Sequence, residues 1–581
     1  MLIDLNRPVE RGCRLGVGFD AAVERWLPTG RRFFERAFSR KELCRVSFKI
    51  PFAVIGAVIG VLLGIEPAVA QEAPPALREV ACWFKAPTRQ TATCYRIRVP
   101  EQRQLDPAAA VVDTGSSARH PVGKVASAAT ADQAPAPKVM LDLPVVVIST
   151  PKDRRHDDPV VYISGGPGDG DWLDRGRIGY WWTFLAQNAW LRHRDLILFD
   201  QRGVGMTEPR IDCAELEALE LPSLSLGNDH RQVAAQSLRA TEACLARLQK
   251  AGYDPAAYTT EASAEDLHAI FAGLRIPRWN IYGLSYGSRL ALTYMRLHPA
   301  DIRTAILDSV YPPQVHFLED DAWRTERAFQ LLFDACKADA DCRQWYPDLA
   351  ARLPALVSRL NEKPLQMRHA DPDGGPDLLF PLTGETLLTH LFFNLYNRDD
   401  IERVPQIIDI FDRNLTRSIA GETSLLLEEL HDRPDWGDAM AMTIDCREDV
   451  PFNDLAKVRA NYAASPLLRS FADVDPAPDC AGWVQAPPVA AMARPIESAV
   501  PSLVLAGSND PVTPPSYARL AASHLSHAFY TEFPATGHDV LGNSICAGQL
   551  AEVFLDRPDQ QPTHPCLAVS KPLVFAAPVD R

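Results

Sequence analysis

One serine of the sequence stands in a setting typical of a catalytic nucleophile. Ser285 lies between Gly283 and Gly287, with a predicted strand at 279–282 before it and a predicted helix at 289–297 after it. The pattern G-x-S-x-G places a serine on a tight turn between strand and helix, where only glycine avoids collisions two residues to either side. We therefore predict that Ser285 presents its hydroxyl group as a nucleophile for acyl transfer.

A serine hydroxyl is a weak nucleophile unless a histidine takes its proton and a carboxylate orients that histidine. Asp510 and His538 each follow a late predicted strand, at 502–506 and 528–533, and they come in the order acid then histidine. That order is the one expected after a serine on such a turn. We therefore predict that Ser285, Asp510 and His538 form the catalytic set.

Other residues of the right types are alternatives. Asp308 follows the predicted strand that comes after the nucleophile, so it is a second candidate for the acid. His524 and His527 are further candidates for the base, but they fall in a stretch that is predicted to be helical and solvated. Asp510 and His538 are preferred, and each lies just past a late predicted strand, where the loops of a parallel sheet build a site.

The oxyanion of an acyl-transfer reaction needs two preorganised N–H donors. The N–H of Tyr286, which follows the nucleophile, is expected to be the first. The second is expected in the glycine-rich run 164–170, and we nominate Gly166, with the register open by one residue. The run makes a weak phosphate loop because no G-K-[ST] follows it, and no cofactor is expected.

The elements that must position these residues have the rhythm of a parallel sheet. Near-continuous apolar runs of strand length alternate with stretches of helical length, which favours an α/β fold with a mostly parallel central sheet. The runs lie at 143–148, 160–163, 196–199, 279–282 and 304–307.

The predicted core is interrupted twice. Its first part, 71–311, contains a segment at 105–138 that is rich in Ala, Ser, Pro and Gly and is predicted to be a flexible insertion. Residues 312–498 are helical, Leu-rich and acidic, which predicts a cap domain inserted into the core, and the second part of the core follows at 499–581.

The first 70 residues have the features of an export signal. A stretch rich in Arg and Lys leads into the apolar run 50–65, and Ala68-Val69-Ala70 provides a small-x-small cleavage site before Gln71. The run is shorter than the roughly 20 residues that span a bilayer. We therefore expect a secreted or periplasmic protein, with anchoring to the membrane by residues 50–65 as the alternative.

The cysteines support export. Ten cysteines follow the predicted cleavage site and fall into neighbours along the chain, so we predict five disulfides that close short loops in an oxidising compartment. The predicted pairs are Cys82–Cys94, Cys213–Cys244, Cys336–Cys342, Cys446–Cys480 and Cys546–Cys566. No metal site is expected, because no C-x-x-C pair or histidine cluster of ligand spacing accompanies them.

The overall charge of the chain indicates which class of partner it can bind. A formal net charge of −14 argues against nucleic acid, because phosphate binding requires a basic face. A small neutral or cationic substrate fits better. The oligomeric state is left open.

Five motifs together resemble the proline iminopeptidase-like serine peptidases of the α/β-hydrolase fold, especially their exported tripeptidyl-aminopeptidase branch. Their positions are 164–168 (SGGPG), 200–205 (DQRGVG), 283–287 (GLSYG), 510–514 (DPVTP) and 537–538 (GH). The resemblance implies hydrolysis of peptides from a free N-terminus, with the cap restricting access. One departure is Ser164, where many members carry His, and it puts strict iminopeptidase specificity in doubt.

The resemblance also implies a carboxylate in the cap that receives the ammonium group of the substrate. Glu448 is the candidate, because it lies where the cap returns toward the core, and a solvated surface acid is the alternative for this residue. A carboxylesterase or lipase that uses the same three side chains is the second functional hypothesis, since acyl transfer alone does not distinguish amide from ester. A non-catalytic binding module is the third.

Overall fold

A computed structural model describes residues 2–4, 77–88, 90–103, 139–153, 155–369, 377–431, 435–569 and 572–579. The predicted export signal at 50–65, its cleavage site before Gln71 and the predicted insertion at 105–138 lie outside the described residues. Within these ranges no helix combines the length and the apolar character that a bilayer span requires.

The described strands form two sheets. In chain order they are β1 (Leu2–Asp4), β2 (Leu77–Val80), β3 (Thr91–Pro100), β4 (Met140–Ser149), β5 (Val160–Ile163), β6 (Leu196–Phe199), β7 (Trp279–Leu284), β8 (Ile302–Asp308), β9 (Leu365–His369), β10 (Leu378–Leu382), β11 (Ser502–Gly507) and β12 (Ala528–Phe533). Every predicted strand of the core is confirmed, with ends that differ by at most a few residues.

The central sheet has the strand order β12-β11-β8-β7-β5-β6-β4-β3-β2. From β12 to β6 the neighbouring strands are parallel, whereas β4 is antiparallel to both β6 and β3. The carboxyl ends of the parallel strands therefore meet at one edge, where ligands bind in open α/β sheets. The smaller sheet pairs β9 with β1 in parallel and with β10 in antiparallel orientation.

Helices cover both faces of the central sheet. Successive residues such as Val145 and Val146 are buried against opposite layers, because side chains alternate along a strand. The helices of the core are α1 (Gly179–Gln187), α2 (Ala214–Glu217), α4 (His230–Lys250), α5 (Thr260–Leu274), α6 (Tyr286–Leu297), α16 (Pro515–Ala522), α17 (Val540–Asn543) and α18 (Ile545–Asp556). The short helix α3 (Glu220–Ser223) instead packs its Leu221 against the apolar core of the helical segment between β8 and β11.

The segment between β8 and β11 is largely helical and has an apolar core of its own, in which Phe329, Leu353 and Ile407 are fully buried. Its helices are α7 (Asp321–Ala338), α8 (Ala340–Trp345), α9 (Leu349–Glu362), α10 (Gly384–Phe393), α11 (Arg398–Ile401), α12 (Val404–Asp412), α13 (Thr416–His431), α14 (Asp438–Ile444) and α15 (Leu455–Ala464). We call residues 321–431, with α15, the cap.

Two boundaries differ from the predicted ones. Within the predicted cap at 312–498, Met440, Ile444 and Trp483 are buried in the core beside the central sheet and not in the cap. Conversely, residues 572–579, which were assigned to the core, lie on the cap, where Leu573 and Phe575 are buried. The sequence pattern does not predict either boundary, because the buried residues of the core and of the cap are of the same apolar types. We call residues 572–579 the C-terminal strap.

Hydrogen bonds to its backbone also hold the C-terminal strap on the cap. The hydroxyl of Tyr346 donates to the carbonyl oxygen of Ala576 at 2.7 Å, and the N–H of Ala576 donates to the carbonyl oxygen of Glu402 at 3.0 Å. The strap is therefore bonded to the cap at the carboxyl ends of α8 and α11.

The five predicted disulfides are all confirmed. Their sulfur atoms lie within bonding distance in the pairs Cys82–Cys94, Cys213–Cys244, Cys336–Cys342, Cys446–Cys480 and Cys546–Cys566. Each closes a local loop, as the neighbouring positions of the cysteines along the chain predicted.

Candidate active site

Ser285 sits on the turn between β7 and α6 with a φ of 57° and a ψ of −123°. A non-glycine residue with this backbone conformation is strained, and strain of this kind clusters at functional sites. A side chain at Gly283 would overlap the carbonyl oxygen of Gly287, and one at Gly287 would overlap that of Ile163. The two glycines are therefore required by the close approach of strand and helix, as their spacing predicted.

Asp510 and His538 are brought together by the loops after β11 and β12. The Nδ1 atom of His538 lies 2.9 Å from Oδ2 of Asp510, which is fully buried. The hydroxyl of Thr513 donates to the same carboxylate oxygen at 2.8 Å, and the N–H groups of Val512 and Thr513 donate to Oδ1, each at 2.8 Å. The hydroxyl of Thr513 also contacts Nδ1 of His538. Five polar interactions thus fix the imidazole and its carboxylate.

The pKa values of the pair move apart. Burial acts to raise the pKa of Asp510, but the interaction with His538 and the hydrogen bonds from Thr513 lower it below its ordinary value. Burial acts to lower the pKa of His538, yet the carboxylate of Asp510 outweighs it and raises the pKa above 6.5. Asp510 therefore stays ionised, and the imidazolium that forms when His538 accepts a proton is stabilised.

The alternative candidates for the acid and the base do not take part in the contacts between Asp510 and His538. Both carboxylate oxygens of Asp308 accept backbone N–H groups, from Val540 at 2.9 Å and Leu541 at 2.8 Å, so Asp308 fixes the chain that follows the histidine. Burial raises the pKa of Asp308 to about 7. His524 and His527 lie in the turn before β12, at the amino end of that strand and away from the edge that carries Asp510.

The glycine-rich loop after β5 lies against the nucleophile. A side chain at Gly165 would come within 3.2 Å of the Cβ atom of Ser285. Gly166 has a φ of 98°, a conformation that glycine adopts freely, and Tyr286 is the first residue of α6, where N–H groups lack helical partners. Gly166 and Tyr286 thus remain the predicted oxyanion donors. The closest approach of the loop to Ser285 is at Gly165, one residue before Gly166, which is within the one-residue range that the sequence left open.

Ser164 and Gln201 fix the start of this loop. The hydroxyl of Ser164 donates to the carbonyl oxygen of Asp169 at 2.9 Å, and the side-chain amide of Gln201 lies 3.2 Å from both Ser164 oxygens. Ser164 therefore holds the loop closed on itself.

Glu448 does not have the position that was expected of it. Only 1% of its surface is exposed, and its two carboxylate oxygens accept the N–H of Thr260 at 2.8 Å and the hydroxyl of Thr260 at 2.5 Å. Burial raises its pKa to about 7. Both readings of the sequence, a solvated acid and a receptor for the ammonium group of the substrate, disagree with this arrangement. Glu448 instead holds the start of α5 beneath Tyr286, whose hydroxyl lies 2.8 Å from that of Thr260.

Arg202, in the second motif, is buried in a structural network. Its guanidinium donates to both carboxylate oxygens of Asp266, at 2.8 and 2.9 Å, and to the carbonyl oxygens of Glu101 and Ala257. It ties three loops of the core together.

A cleft of about 960 Å³ lies between the loop after β5 and the cap. It is lined by Asp169, Trp172, Arg177, Tyr180, His390, Phe393, Asn394, Tyr396, Asn397, Asp400, Arg403, Leu425, Glu428 and Asp435. Tyr396 also contacts the predicted catalytic site, because its ring centroid lies 5.3 Å from that of His538. A side chain at Gly537 would overlap the carbonyl oxygen of Tyr396, so the cap backbone rests directly on the histidine loop.

The aromatic residues of the cleft were missed by sequence reasoning. Trp172, Tyr180 and Tyr396 stand outside every recognised motif, and an exposed aromatic residue cannot be told from a buried one by its type. Thr513 stands within the DPVTP motif, and the motif alone does not indicate that its hydroxyl contacts both Asp510 and His538.

The comparisons with known proteins bear on the fold and on the class of enzyme. Residues 158–356 match a family model described as alpha/beta hydrolase fold, and residues 465–565 match one described as TAP-like protein. Serine protease Hip1 of Mycobacterium tuberculosis is 27% identical over 391 residues, which are 62% of this chain and 72% of that protein. Tripeptidyl aminopeptidase of Streptomyces lividans is 30% identical over 156 residues, which are 26% of this chain and 28% of that protein.

Among solved structures, a proline iminopeptidase from Mycobacterium smegmatis is 15% identical and covers 72% of this chain and 96% of its own length, with a TM-score of 0.35. The strand order and the family matches together establish the α/β-hydrolase fold, and the chain is a hydrolase with relatives that are named as peptidases.

Proposed function

We propose that this chain, an α/β hydrolase with a TAP-like C-terminal region, is a serine exopeptidase that cleaves peptide bonds near the free N-terminus of peptides. The observation that carries the proposal is the hydrogen-bonded pair of Asp510 and His538 at the strand edge where Ser285 stands on its strained turn. The cleft under the cap adds a confined place for a short peptide.

The chemistry follows from the roles of these side chains. His538 accepts the proton of the Ser285 hydroxyl as its oxygen attacks the scissile carbonyl carbon, and the N–H of Tyr286 with one N–H of the glycine-rich loop stabilises the oxyanion. The imidazolium then donates its proton to the leaving amine, and an acyl-enzyme remains on Ser285. A water molecule, deprotonated by His538, hydrolyses this ester and restores the serine. No cofactor takes part in these steps.

The charge of the cleft supports recognition of a free amino group. Among the residues that the structure describes, four acids, Asp169, Asp400, Glu428 and Asp435, line it together with two arginines. Both arginines are already engaged: Arg177 donates to Asp435 at 2.6 Å, and Arg403 donates to Glu422 at 2.8 Å. The excess negative charge attracts an ammonium group and disfavours a carboxylate.

Among these acids, Glu428 is the best candidate for contact with the ammonium group. It is exposed, and its side chain makes no ion pair within the part of the chain that the structure describes. Glu428 lies on α13 of the cap and faces the cleft. We therefore transfer to Glu428 the role that the sequence had suggested for Glu448.

We further propose that the protein works in an oxidising compartment after export. Five disulfides form between cysteines that are all downstream of the predicted cleavage site. Disulfides of this number are typical of secreted and periplasmic proteins and rare in the cytosol.

A substrate comparison tests the proposal. Purified protein is incubated with aminoacyl and tripeptidyl p-nitroanilides, each with a free and with an acetylated N-terminus, and with short p-nitrophenyl esters. The proposal requires faster cleavage of the free amides and loss of about 10⁴-fold or more of the activity in Ser285→Ala. Cleavage of esters alone would instead establish a carboxylesterase, and the number of residues released is read from the products by mass spectrometry.

Glu428→Gln separates substrate recognition from catalysis in the same assay. We expect its kcat/KM to fall for the free amides and to change little for the acetylated ones, since only the former carry the ammonium group. An equal effect on both series would contradict the role of Glu428.

A further inference from the structure

One tryptophan of the cleft is held in a backbone conformation that its side chain disfavours. Trp172 has a φ of 53°, in the left-handed region, and yet its side chain is not buried, since 41% of the residue is exposed. For a bulky residue this φ is a genuine outlier, and such outliers persist where the surrounding structure enforces them. Neither burial nor turn chemistry explains why a tryptophan stands here.

The chain on both sides of this tryptophan is fixed by two other indole groups. The Nε1–H of Trp181 donates to the carbonyl oxygen of Asp171, and that of Trp83 donates to the carbonyl oxygen of Leu173, each at 2.6 Å. Asp171 and Leu173 are buried, with 2% and 1% of their surfaces exposed. The backbone therefore enters and leaves residue 172 in fixed directions.

The side chain of Asp171 adds a further constraint on the same backbone. Its carboxylate accepts the N–H of Phe199 at 3.0 Å, and its own N–H donates to Asp200 at 2.7 Å. This segment is thus anchored to the end of β6, and the indole of Trp172 projects from a rigid base.

Tyr180, at the start of α1, completes the feature. Its ring meets that of Trp172 edge to face, with centroids 4.6 Å apart, and 40% of Tyr180 is exposed. Both rings line the cleft, opposite the cap residues Phe393 and Tyr396. Two large aromatic side chains that are exposed together in a cleft mark a binding surface more often than a solvated face.

We propose that Trp172 and Tyr180 form an aromatic subsite that binds a bulky apolar side chain, such as Phe or Leu, of the peptide substrate. This inference rests on the proposed function and deepens it by naming the class of side chain that the cleft selects. The rings offer apolar faces at little cost in conformational entropy, because they are fixed before the substrate arrives. The loop that carries Trp172 continues directly from the glycine-rich run beside Ser285, so the subsite and the predicted oxyanion donor Gly166 belong to one continuous loop.

The test uses tripeptidyl p-nitroanilides with a free N-terminus in which each position in turn is Phe, Leu, Ala or Asp. At one position we expect wild-type kcat/KM to be about 10-fold or more higher for Phe than for Ala, as hydrophobic pockets commonly discriminate. In Trp172→Gly this ratio is expected to fall close to 1. Tyr180→Ala should reduce the ratio in the same direction, and Tyr180→Phe should keep it.

The glycine variant also separates binding from folding. Glycine adopts a positive φ without strain, so Trp172→Gly is expected to keep the wild-type Tm or to raise it. Trp172→Asn is the second variant, because Asn also tolerates this conformation. Trp323→Ala is the matched control: Trp323 is 47% exposed on α7 and is not part of the cleft lining, so the ratio should not change.

Two results would overturn the inference: an unchanged Phe-to-Ala ratio in Trp172→Gly, or a large fall in Tm in both the Gly and the Asn variants, which would show a structural role. The same ratio is measured with p-nitrophenyl esters of phenylpropanoate and acetate. If the protein cleaves only esters, the proposed peptidase function is wrong. The ratio of kcat/KM for these two esters, in the wild type and in the variants, then still tests whether Trp172 and Tyr180 bind a bulky apolar group.

Discussion

The ring of Tyr396 lies 5.3 Å from the imidazole of His538, with the two planes inclined by 66°. Tyr396 belongs to the cap and His538 to the loop after β12, so the inserted region contributes directly to the surroundings of the proposed general base. The absence of a side chain at Gly537 permits this contact, because the carbonyl oxygen of Tyr396 occupies the space. We therefore expect catalysis to depend on the position of the cap.

Replacing Tyr396 tests this coupling. An aromatic ring within about 6 Å of a cation stabilises it, so Tyr396→Leu should destabilise the imidazolium form of His538 and lower kcat/KM by about 5- to 30-fold. Tyr396→Phe should retain most of the activity. The measurement is the rate of Ser285 labelling by a fluorophosphonate at several pH values, which does not depend on peptide binding. Leu425→Ala, which changes the cleft at an exposed residue of α13, serves as the control and should leave the labelling rate unaltered.

The activity is expected to depend on pH through His538. The reaction needs a neutral imidazole, and the carboxylate of Asp510 raises the pKa of His538 above 6.5. Consequently kcat/KM should decrease as the pH falls, with the midpoint of the acidic limb above 6.5. Asp510→Asn removes the charge and should shift this limb to lower pH while reducing the maximal rate. Profiles between pH 5 and 9 provide the measurement, and a wild-type limb below 6.5 would contradict the assignment.

Glu448 is expected to affect stability, not substrate binding. Because burial raises its pKa from 4.5 to about 7, the folded protein binds a proton more tightly than the unfolded chain does. The contribution of Glu448 to the free energy of unfolding should therefore decrease as the pH rises from about 4.5 to about 7. Glu448→Gln removes this titration, so the variant should lose less stability than the wild type between pH 5 and pH 8.

Thermal unfolding at the two pH values measures the difference, and the kcat/KM for free amides is the control. We expect the latter to change less than about 3-fold. A KM that rises for free amides and stays constant for acetylated ones would restore Glu448 to the substrate site.

The C-terminal strap is expected to hold the cap. Phe575 is buried among cap residues, with 7% of its surface exposed, whereas the neighbouring Val574 is 71% exposed. Phe575→Ala should destabilise the protein by about 3–5 kcal/mol, the usual cost of removing a buried aromatic ring. Val574→Ala should change stability by less than about 0.5 kcal/mol, as surface substitutions do. Chemical denaturation of both variants checks the difference, and equal effects would show that the strap is not anchored by its buried ring.

The sequence was most informative where backbone geometry dictates residue type. Gly283 and Gly287 are required by steric overlap, so the turn that carries Ser285 could be recognised from a short pattern. The order of acid and histidine after the late strands then selected Asp510 and His538, which the structure places 2.9 Å apart. Sequential pairing of the cysteines succeeded for a similar reason, since short loops restrict the possible partners.

The sequence was least informative where function depends on exposure or on contacts between distant segments. Glu448 and Glu428 are both acids of the segment between β8 and β11, but one is enclosed by Thr260 and the other faces the cleft. No local pattern distinguishes them. The positive φ of Trp172 is likewise a product of hydrogen bonds from Trp83 and Trp181, which only the folded chain brings together.

The strap also has a consequence for biosynthesis. Ala576 of the strap is hydrogen-bonded to Tyr346 of the cap, and these two residues are separated by 230 positions along the chain. At about 5–20 residues per second, a ribosome needs roughly 10–50 s to produce the second partner after the first. During this interval the nascent cap lacks its fastening, although Ser285 has already been synthesised. A product that stopped shortly after α18 would contain every proposed catalytic side chain and still carry an unfastened cap.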